Sequence, residues 1–271
     1  MFTHLEFYLF CEGTLFVWLH HLLQYLSSNF KYMKQIVFAI LLLIGVQSCE
    51  IIGNERVRGN GNIVTVDRNM EDVSKIKLAG SYEVEITQGN APSLRIETDE
   101  NIVPLIKTEI SEGWLNIRTK KNVSISTTNQ IKVYLTVTSL EALHVAGSGN
   151  ITGKGKFTKG DKLSLKIAGA GSVTLDVNTP EVKTDIAGSG SVYLSGETRK
   201  QSIDIAGSGD YVAEQLKSES AKIDIAGSGD VKVFADDAID IRIAGSGNVY
   251  YKGNASVNQK ILGGGKIVRL D

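Results

Sequence analysis

Ile203-Asp204-Ile205-Ala206-Gly207-Ser208-Gly209-Asp210 decides how this chain folds, because near copies of it recur from residue 143 almost to residue 271. The alanine of successive copies stands at Ala146, Ala168, Ala187, Ala206, Ala226 and Ala244, and Leu262 takes its place in Ile261-Leu262-Gly263-Gly264-Gly265. The intervals are 22, 19, 19, 20, 18 and 18 residues. A helix-turn-helix repeat needs more than about thirty residues, whereas one coil of short strands and tight turns fits this length. The expected fold is therefore all-β: a single-stranded parallel β-helix, or β-solenoid, with coils of 18–22 residues over 143–271. General chain chirality makes it right-handed.

Within each copy the side chains alternate as a half-buried strand requires. Ile203 and Ile205 flank Asp204, and the same holds in Ile223-Asp224-Ile225 and Ile239-Asp240-Ile241-Arg242-Ile243. The isoleucines fill a core that no single coil could close alone. Gly207-Ser208-Gly209 and its equivalents then serve as the corner, where a β-carbon would be excluded. The middle residue varies, as in Gly169-Ala170-Gly171 and Gly263-Gly264-Gly265, but both flanking glycines stay.

Two outward columns follow from the stacking. Two residues before the alanine the chain reads His144, Lys166, Asp185, Asp204, Asp224, Arg242 and Lys260, so three adjacent carboxylates are bracketed by cations. In-register carboxylates at strand spacing repel unless a cation or solvent compensates them. One functional reading is a strip that binds a divalent cation or a sugar, making Asp185, Asp204 and Asp224 a candidate ligand or ion strip. The plainer reading, a solvated face whose charges pair across coils, takes precedence. Just after the corners, Asn150, Asp210, Asp230 and Asn248 form a second polar column. Asp210 and Asp230 join the candidate strip, although Asp and Asn in turns commonly hydrogen-bond local backbone. The calcium-binding nonapeptide repeat is not matched, since its period is half as long.

Upstream, residues 58–142 read as further short strands continuous with the repeats. Gly59-Asn60-Gly61-Asn62 is a turn feeding Ile63-Val64-Thr65-Val66. Ile76-Lys77-Leu78-Ala79-Gly80-Ser81 is an early relative of the repeat, and Glu83–Thr87, Ser93–Glu97, Leu115–Arg118 and Ile131–Val137 alternate as strands. One segment looks helical. Ile102, Leu105, Ile106 and Ile110 fall near helical spacing, with Pro104 tolerable only in the first turn, which predicts a short helix over 99–110. No Pro-rich or Ser-rich linker separates 58–142 from the repeats, so the two parts are expected to share one core.

The first fifty residues are a targeting segment. Met33-Lys34-Gln35 precedes an apolar run, Ile36 to Val46, and then Gln47-Ser48-Cys49. A positive start, about ten apolar residues and a small residue at the cut are the marks of a secretory signal, too short to span a bilayer. Val46-Gln47-Ser48-Cys49 resembles the lipobox of bacterial lipoproteins, which implies that Cys49 is lipidated, becomes the mature N-terminus and anchors the chain to a membrane. Residues 33–48 are then the signal and 49–57 a polar tether. Residues 1–32 read as an over-extended gene start, because Glu6, Glu12, His20 and His21 would be costly in lipid.

Composition excludes several chemistries. From Cys49 onward 27 basic residues balance 28 acidic ones, without the cationic excess a nucleic-acid partner needs. Of the two cysteines, Cys11 lies before the signal and Cys49 is the lipidation site, so no disulfide framework or cysteine metal site is available. His144 is the one histidine after the signal, and no nucleophile motif surrounds it. The glycines carry no Lys-Ser/Thr ending of a phosphate loop. No cofactor and no catalytic residue is expected. A carboxylate pair could still hydrolyse a glycoside, with Asp204 and Asp224 the best candidates, but residues that recur with the fold are not a singular catalytic constellation.

The repeated Ile-Ala-Gly-Ser-Gly-Asp/Asn-Val, together with Gly59-Asn60-Gly61-Asn62-Ile63 and Val84-Glu85-Ile86-Thr87-Gln88-Gly89-Asn90, resembles the family described as "putative auto-transporter adhesin, head GIN domain" over roughly residues 58–265. Such proteins are common in Bacteroidetes as exported lipoproteins. The resemblance implies a parallel β-helix, a surface or periplasmic location and an adhesion role, and the anchor with the repeated exposed columns points to an outer-membrane lipoprotein, facing the periplasm or the cell surface, that binds a glycan or another envelope protein. It brings no catalytic or binding residues. The alternative is a periplasmic structural or sensing component with a membrane partner.

Overall fold

The computed structural model describes residues 55–127 and 129–271; the lipobox, Cys49 and the signal lie outside them. The described chain is a flattened β-solenoid built from two sheets packed face to face. The first runs, in spatial order, Ile106–Ser111, Trp114–Thr119, Lys75–Ala79, Ala142–Gly147, Lys162–Gly169, Glu181–Gly188, Lys200–Gly207, Ser220–Gly227, Ala238–Gly245 and Ser256–Gly263. The second runs Ile63–Arg68, Ser93–Asp99, Lys132–Val137, Glu83–Gln88, Asn150–Phe157, Ser172–Asn178, Ser191–Glu197, Asp210–Lys217, Val231–Phe234, Val249–Lys252 and Ile267–Arg269.

From residue 142 each coil gives one strand to each sheet, and the first-sheet strands stack parallel in strict register. Ala168 pairs with Ala187, Ala187 with Ala206, Ala206 with Ala226, Ala226 with Ala244 and Ala244 with Leu262. The sequence period becomes a spatial column at once. Ile167, Ile186, Ile205, Ile225 and Ile243 are buried, as are Val173, Val192, Tyr211, Val231 and Val249 from the second sheet, and all belong to one core. Fully burying such an aliphatic side chain contributes about 1.5–3 kcal/mol, so the columns outweigh any polar contact along the coil.

The corner shows two separate demands for glycine. Gly227 has φ of 142°, and a β-carbon there would fall on the carbonyl oxygen of Gly207 in the preceding coil. Gly229 has ordinary backbone angles but would place its β-carbon on the Gly209 carbonyl. At the first position chirality and coil spacing both exclude a side chain; at the second, coil spacing alone does.

The end nearest residue 55 is built differently. The coil formed by Lys75–Ala79 and Glu83–Gln88 is inserted between the coil of 114–137 and that of 142–157, out of chain order. Antiparallel pairing then closes this end: Ile63–Arg68 on Ser93–Asp99, Ser93–Asp99 on Lys132–Val137, and Ile106–Ser111 on Trp114–Thr119. The helix expected over 99–110 does not form. Val103–Leu105 makes a single 3₁₀ turn and Ile106–Ser111 is a strand. Glu112-Gly113, both at positive φ, folds Ile106–Ser111 back onto Trp114–Thr119 as a hairpin, and the strand satisfies the backbone edge of Trp114–Thr119, which a helix would leave bare. Ile102 and Ile106 are buried on either side of the turn, while Ile110 is 36% exposed. The last residues of the expected tether are also structured, since Glu55–Arg58 pairs in parallel with Val123–Ser126.

Asp99 holds this cap together. It is 1% exposed and accepts hydrogen bonds from the Gly61 N–H at 2.5 Å and the Thr127 hydroxyl at 2.6 Å. The Thr127 bond, with that from Gly61, holds its carboxyl below the usual carboxylate range despite burial. The Gly59-Asn60-Gly61-Asn62 turn is thus wrapped around a buried anion.

Candidate binding surface

The outward face of the first sheet carries a long trough. Its floor is the alanine column, which is exposed from Ala146 to Ala244, and one side is the charged column from Lys77 and His144 to Lys260. It crosses eight strands and encloses about 780 Å³. At a strand spacing of about 4.8 Å that is a length of roughly 34 Å. The sequence dictates this shape directly: methyl groups beside two-residue-distant long side chains, repeated in register, leave a continuous groove.

Asp185, Asp204 and Asp224 lie side by side on three consecutive strands. The outer two are compensated. Asp185 lies 3.4 Å from both Lys166 and Lys183, and Asp224 lies 3.4 Å from Lys222 and 3.5 Å from Arg242. Asp204 has no ion pair within 4 Å among the described residues. Partial burial, and then the charges of Asp185 and Asp224, push its carboxyl above the usual range. Among the described residues no group of three or more His, Cys, Asp or Glu side chains is arranged to hold a metal ion.

Asp210 and Asp230 are engaged elsewhere, on the second sheet. The Asp210 carboxylate accepts from the Asp230 N–H at 3.1 Å, and Asp230 accepts from the Asn248 N–H at 3.0 Å and the Asn248 amide at 2.9 Å. Asn248 continues the ladder to the Lys266 N–H at 3.2 Å. Each side chain caps the backbone of the next coil, which uses up acceptor capacity that a ligand would need. The structure therefore brings Asp185, Asp204 and Asp224 together on one face and sets Asp210 and Asp230 apart from them.

Two aromatic side chains that the repeat pattern did not single out also face outward. Trp114 packs on His144 with ring centroids 4.3 Å apart, near one end of the trough. Burial, then Lys166 and Lys77, hold the His144 imidazole below its ordinary pKa. Tyr193, on the second sheet, is 43% exposed. Its orientation was legible: it stands between Val192 and Leu194, both buried, at an alternating position.

A family model described as "Putative auto-transporter adhesin, head GIN domain" matches residues 72–255. The chain belongs to that family. Among solved structures, a "putative adhesin" from Bacteroides fragilis superposes with a TM-score of 0.73 at 22% identity, covering 79% of this chain and 100% of its own. A "putative lipid binding protein" from Parabacteroides distasonis gives 0.66 at 28% identity, covering 80% of this chain and 100% of its own. A "putative adhesin" from Parabacteroides merdae gives 0.63 at 21% identity, with 80% and 100% covered. No curated protein matches this GIN-domain chain.

Proposed function

We propose that this GIN-domain protein is an exported, non-enzymatic adhesin, lipid-anchored through Cys49, that binds an extended glycan or envelope protein along the trough of its first sheet. The trough carries the reading. An uninterrupted methyl-floored groove of about 780 Å³, flanked by charges in a fixed order, suits a polymer lying along the coil axis better than a small metabolite held at one point. Family membership and adhesin relatives support the same reading.

Arginine at Ala187, Ala206 or Ala226 fills the trough from an exposed position, where substitutions usually change stability by less than about 0.5 kcal/mol. Cells displaying the wild-type chain should bind long polysaccharides or isolated cell envelopes, and Ala206→Arg should lower that binding at least tenfold with the fold intact. Equal binding by both would remove the trough from the account. Cys49→Ser should release the protein from the membrane fraction and end its labelling by a fatty-acid probe. Protease digestion of intact cells separates surface adhesion, in which the chain is cleaved, from a periplasmic structural role, in which it is protected.

A second reading takes the trough as a site for an acyl chain. Its apolar floor and the 28% identical relative named as a lipid binding protein favour it. Saturable uptake of a fluorescent fatty acid, lost in Ala206→Arg, would support lipid over polymer.

A further inference from the structure

On the outward face of the second sheet a separate depression of about 330 Å³ surrounds Tyr193. Its origin is a pair of register breaks. Strand Asn150–Phe157 slips against Ser172–Asn178 between Thr152 and Lys156, and Ser191–Glu197 slips against Asp210–Lys217 between Tyr193 and Ser195. The second slip changes which side chains face out. Ala213 and Leu216 are buried, so Glu214 and Gln215 both lie outside the core, two consecutive polar side chains where strict alternation would allow one. Both line the depression, as does Asp176 on the other side of the tyrosine. Asp176 pairs with Ser195, two residues beyond Tyr193 on the neighbouring strand, which places it roughly 8 Å from Tyr193 along the sheet.

The carboxylates here are loosely compensated. Lys156 approaches Asp176 no closer than 3.9 Å and Lys252 approaches Glu214 at 4.0 Å. One oxygen of Asp176 is shielded from solvent without a hydrogen-bond partner. Absent side chains keep the floor low: Gly153 lines the depression, and a β-carbon at Gly196 would meet Asp176.

From this geometry we infer a saccharide-binding site. A half-exposed aromatic ring accepts the C–H face of a pyranose, because that face is apolar and polarised toward an aromatic quadrupole. The ring hydroxyls then donate to Asp176 and Glu214 and accept from the Gln215 amide. A lipid would leave these carboxylates desolvated and unpaired, which is costly. A sugar supplies donors where the site holds acceptors. The site lies on the sheet opposite the trough and stands or falls separately from the adhesion reading.

Titration calorimetry of the full chain with cellohexaose, mannohexaose and chitotetraose tests it. At least one should bind saturably. Tyr193→Ala should weaken that binding tenfold or more, Tyr193→Phe should keep it within about threefold because the ring is retained, and Glu214→Gln should weaken it severalfold. Ala206→Arg, in the trough, should leave it unchanged. The site is overturned if none of the three sugars binds saturably, if Tyr193→Ala binds as wild type does, or if Ala206→Arg alone removes binding. That last result would move the sugar to the trough and leave the adhesion reading standing.

Discussion

The capped end and the repeating end of this solenoid bury the same kind of apolar column by opposite means. In the repeats every coil is templated by its neighbour, residue for residue, and local sequence suffices to set the pairing. At the cap, strands from distant parts of the chain are interleaved, antiparallel pairing replaces parallel, and a single buried carboxylate organises the turn. Regularity makes the first arrangement intolerant of any side chain at the corner. Irregularity makes the second dependent on a few polar contacts.

The sharpest way to break the contrast is at glycine. Gly227→Val in the repeats puts side-chain atoms into the Gly207 carbonyl at a positive φ, and should cost more than about 4 kcal/mol or prevent folding. Gly61→Ala at the cap also has positive φ, 80°, but nothing lies within 4 Å of the added β-carbon. Strain alone remains there, about 1–2 kcal/mol. Urea denaturation followed by circular dichroism measures both, and equal losses would show that close coil contact is not what the corner glycines serve.

Next comes Asp99→Ala, which strands the Gly61 N–H and the Thr127 hydroxyl and should cost about 3 kcal/mol at pH 7. Because the folded pKa is lowered, the stabilisation from ionised Asp99 is present above the ordinary value of 3.8 and is lost as pH falls through the lower folded value. The gap between wild type and mutant should therefore narrow in acid.

Tyr211→Phe probes a polar pin inside the repeats. Its buried hydroxyl donates to Gln201 at 2.9 Å, and the Gln201 amide donates to Ser218 at 2.8 Å and to the Phe234 carbonyl at 3.1 Å. Burial pushes the phenol far above its ordinary pKa, so it stays neutral and donating at any working pH. Losing the donor should cost about 1–2 kcal/mol, read as a lower urea midpoint at unchanged slope.

The smallest effect has the opposite sign. Asp204 has a raised folded pKa, so ionising it opposes folding once pH rises through that value, and the penalty is absent below the unfolded value. Asp204→Asn should raise stability slightly at pH 7, by under about 0.5 kcal/mol after solvent screening and read as a small increase in melting temperature, and lose the advantage near pH 3. One carboxylate stabilises the cap and the other burdens the repeats; matching pH profiles for both mutants would dissolve that difference.

Much of the repeat was legible because its period, alternation and glycines are local properties. The alanine column falls where the intervals placed it, down to Leu262. The segment 99–110 was not legible. Its apolar spacing fits a helix, yet Glu112-Gly113, both at positive φ, turns Ile106–Ser111 back onto Trp114–Thr119 as a hairpin, a signal carried by the turn residues and not by the apolar spacing. The candidate carboxylates divide the same way. Sequence placed Asp185, Asp204 and Asp224 on one column, but which of them is ion-paired depended on Lys183, Lys222 and Arg242. The Glu214-Gln215 pair beside Tyr193 was hidden altogether, because a bulge is a mismatch between two strands and belongs to neither alone.

By itself, then, the sequence determined the coil length, the inward isoleucines, the glycine corner and the trough that follows from them, since each repeats within twenty residues and stacking only copies it. Tertiary structure alone decided the interleaved order of the cap, the burial of Asp99 and the slipped registers around Tyr193. Those features satisfy backbone edges and buried charge between segments tens of residues apart, where pairing is settled by whichever partner best completes the hydrogen bonds and the core.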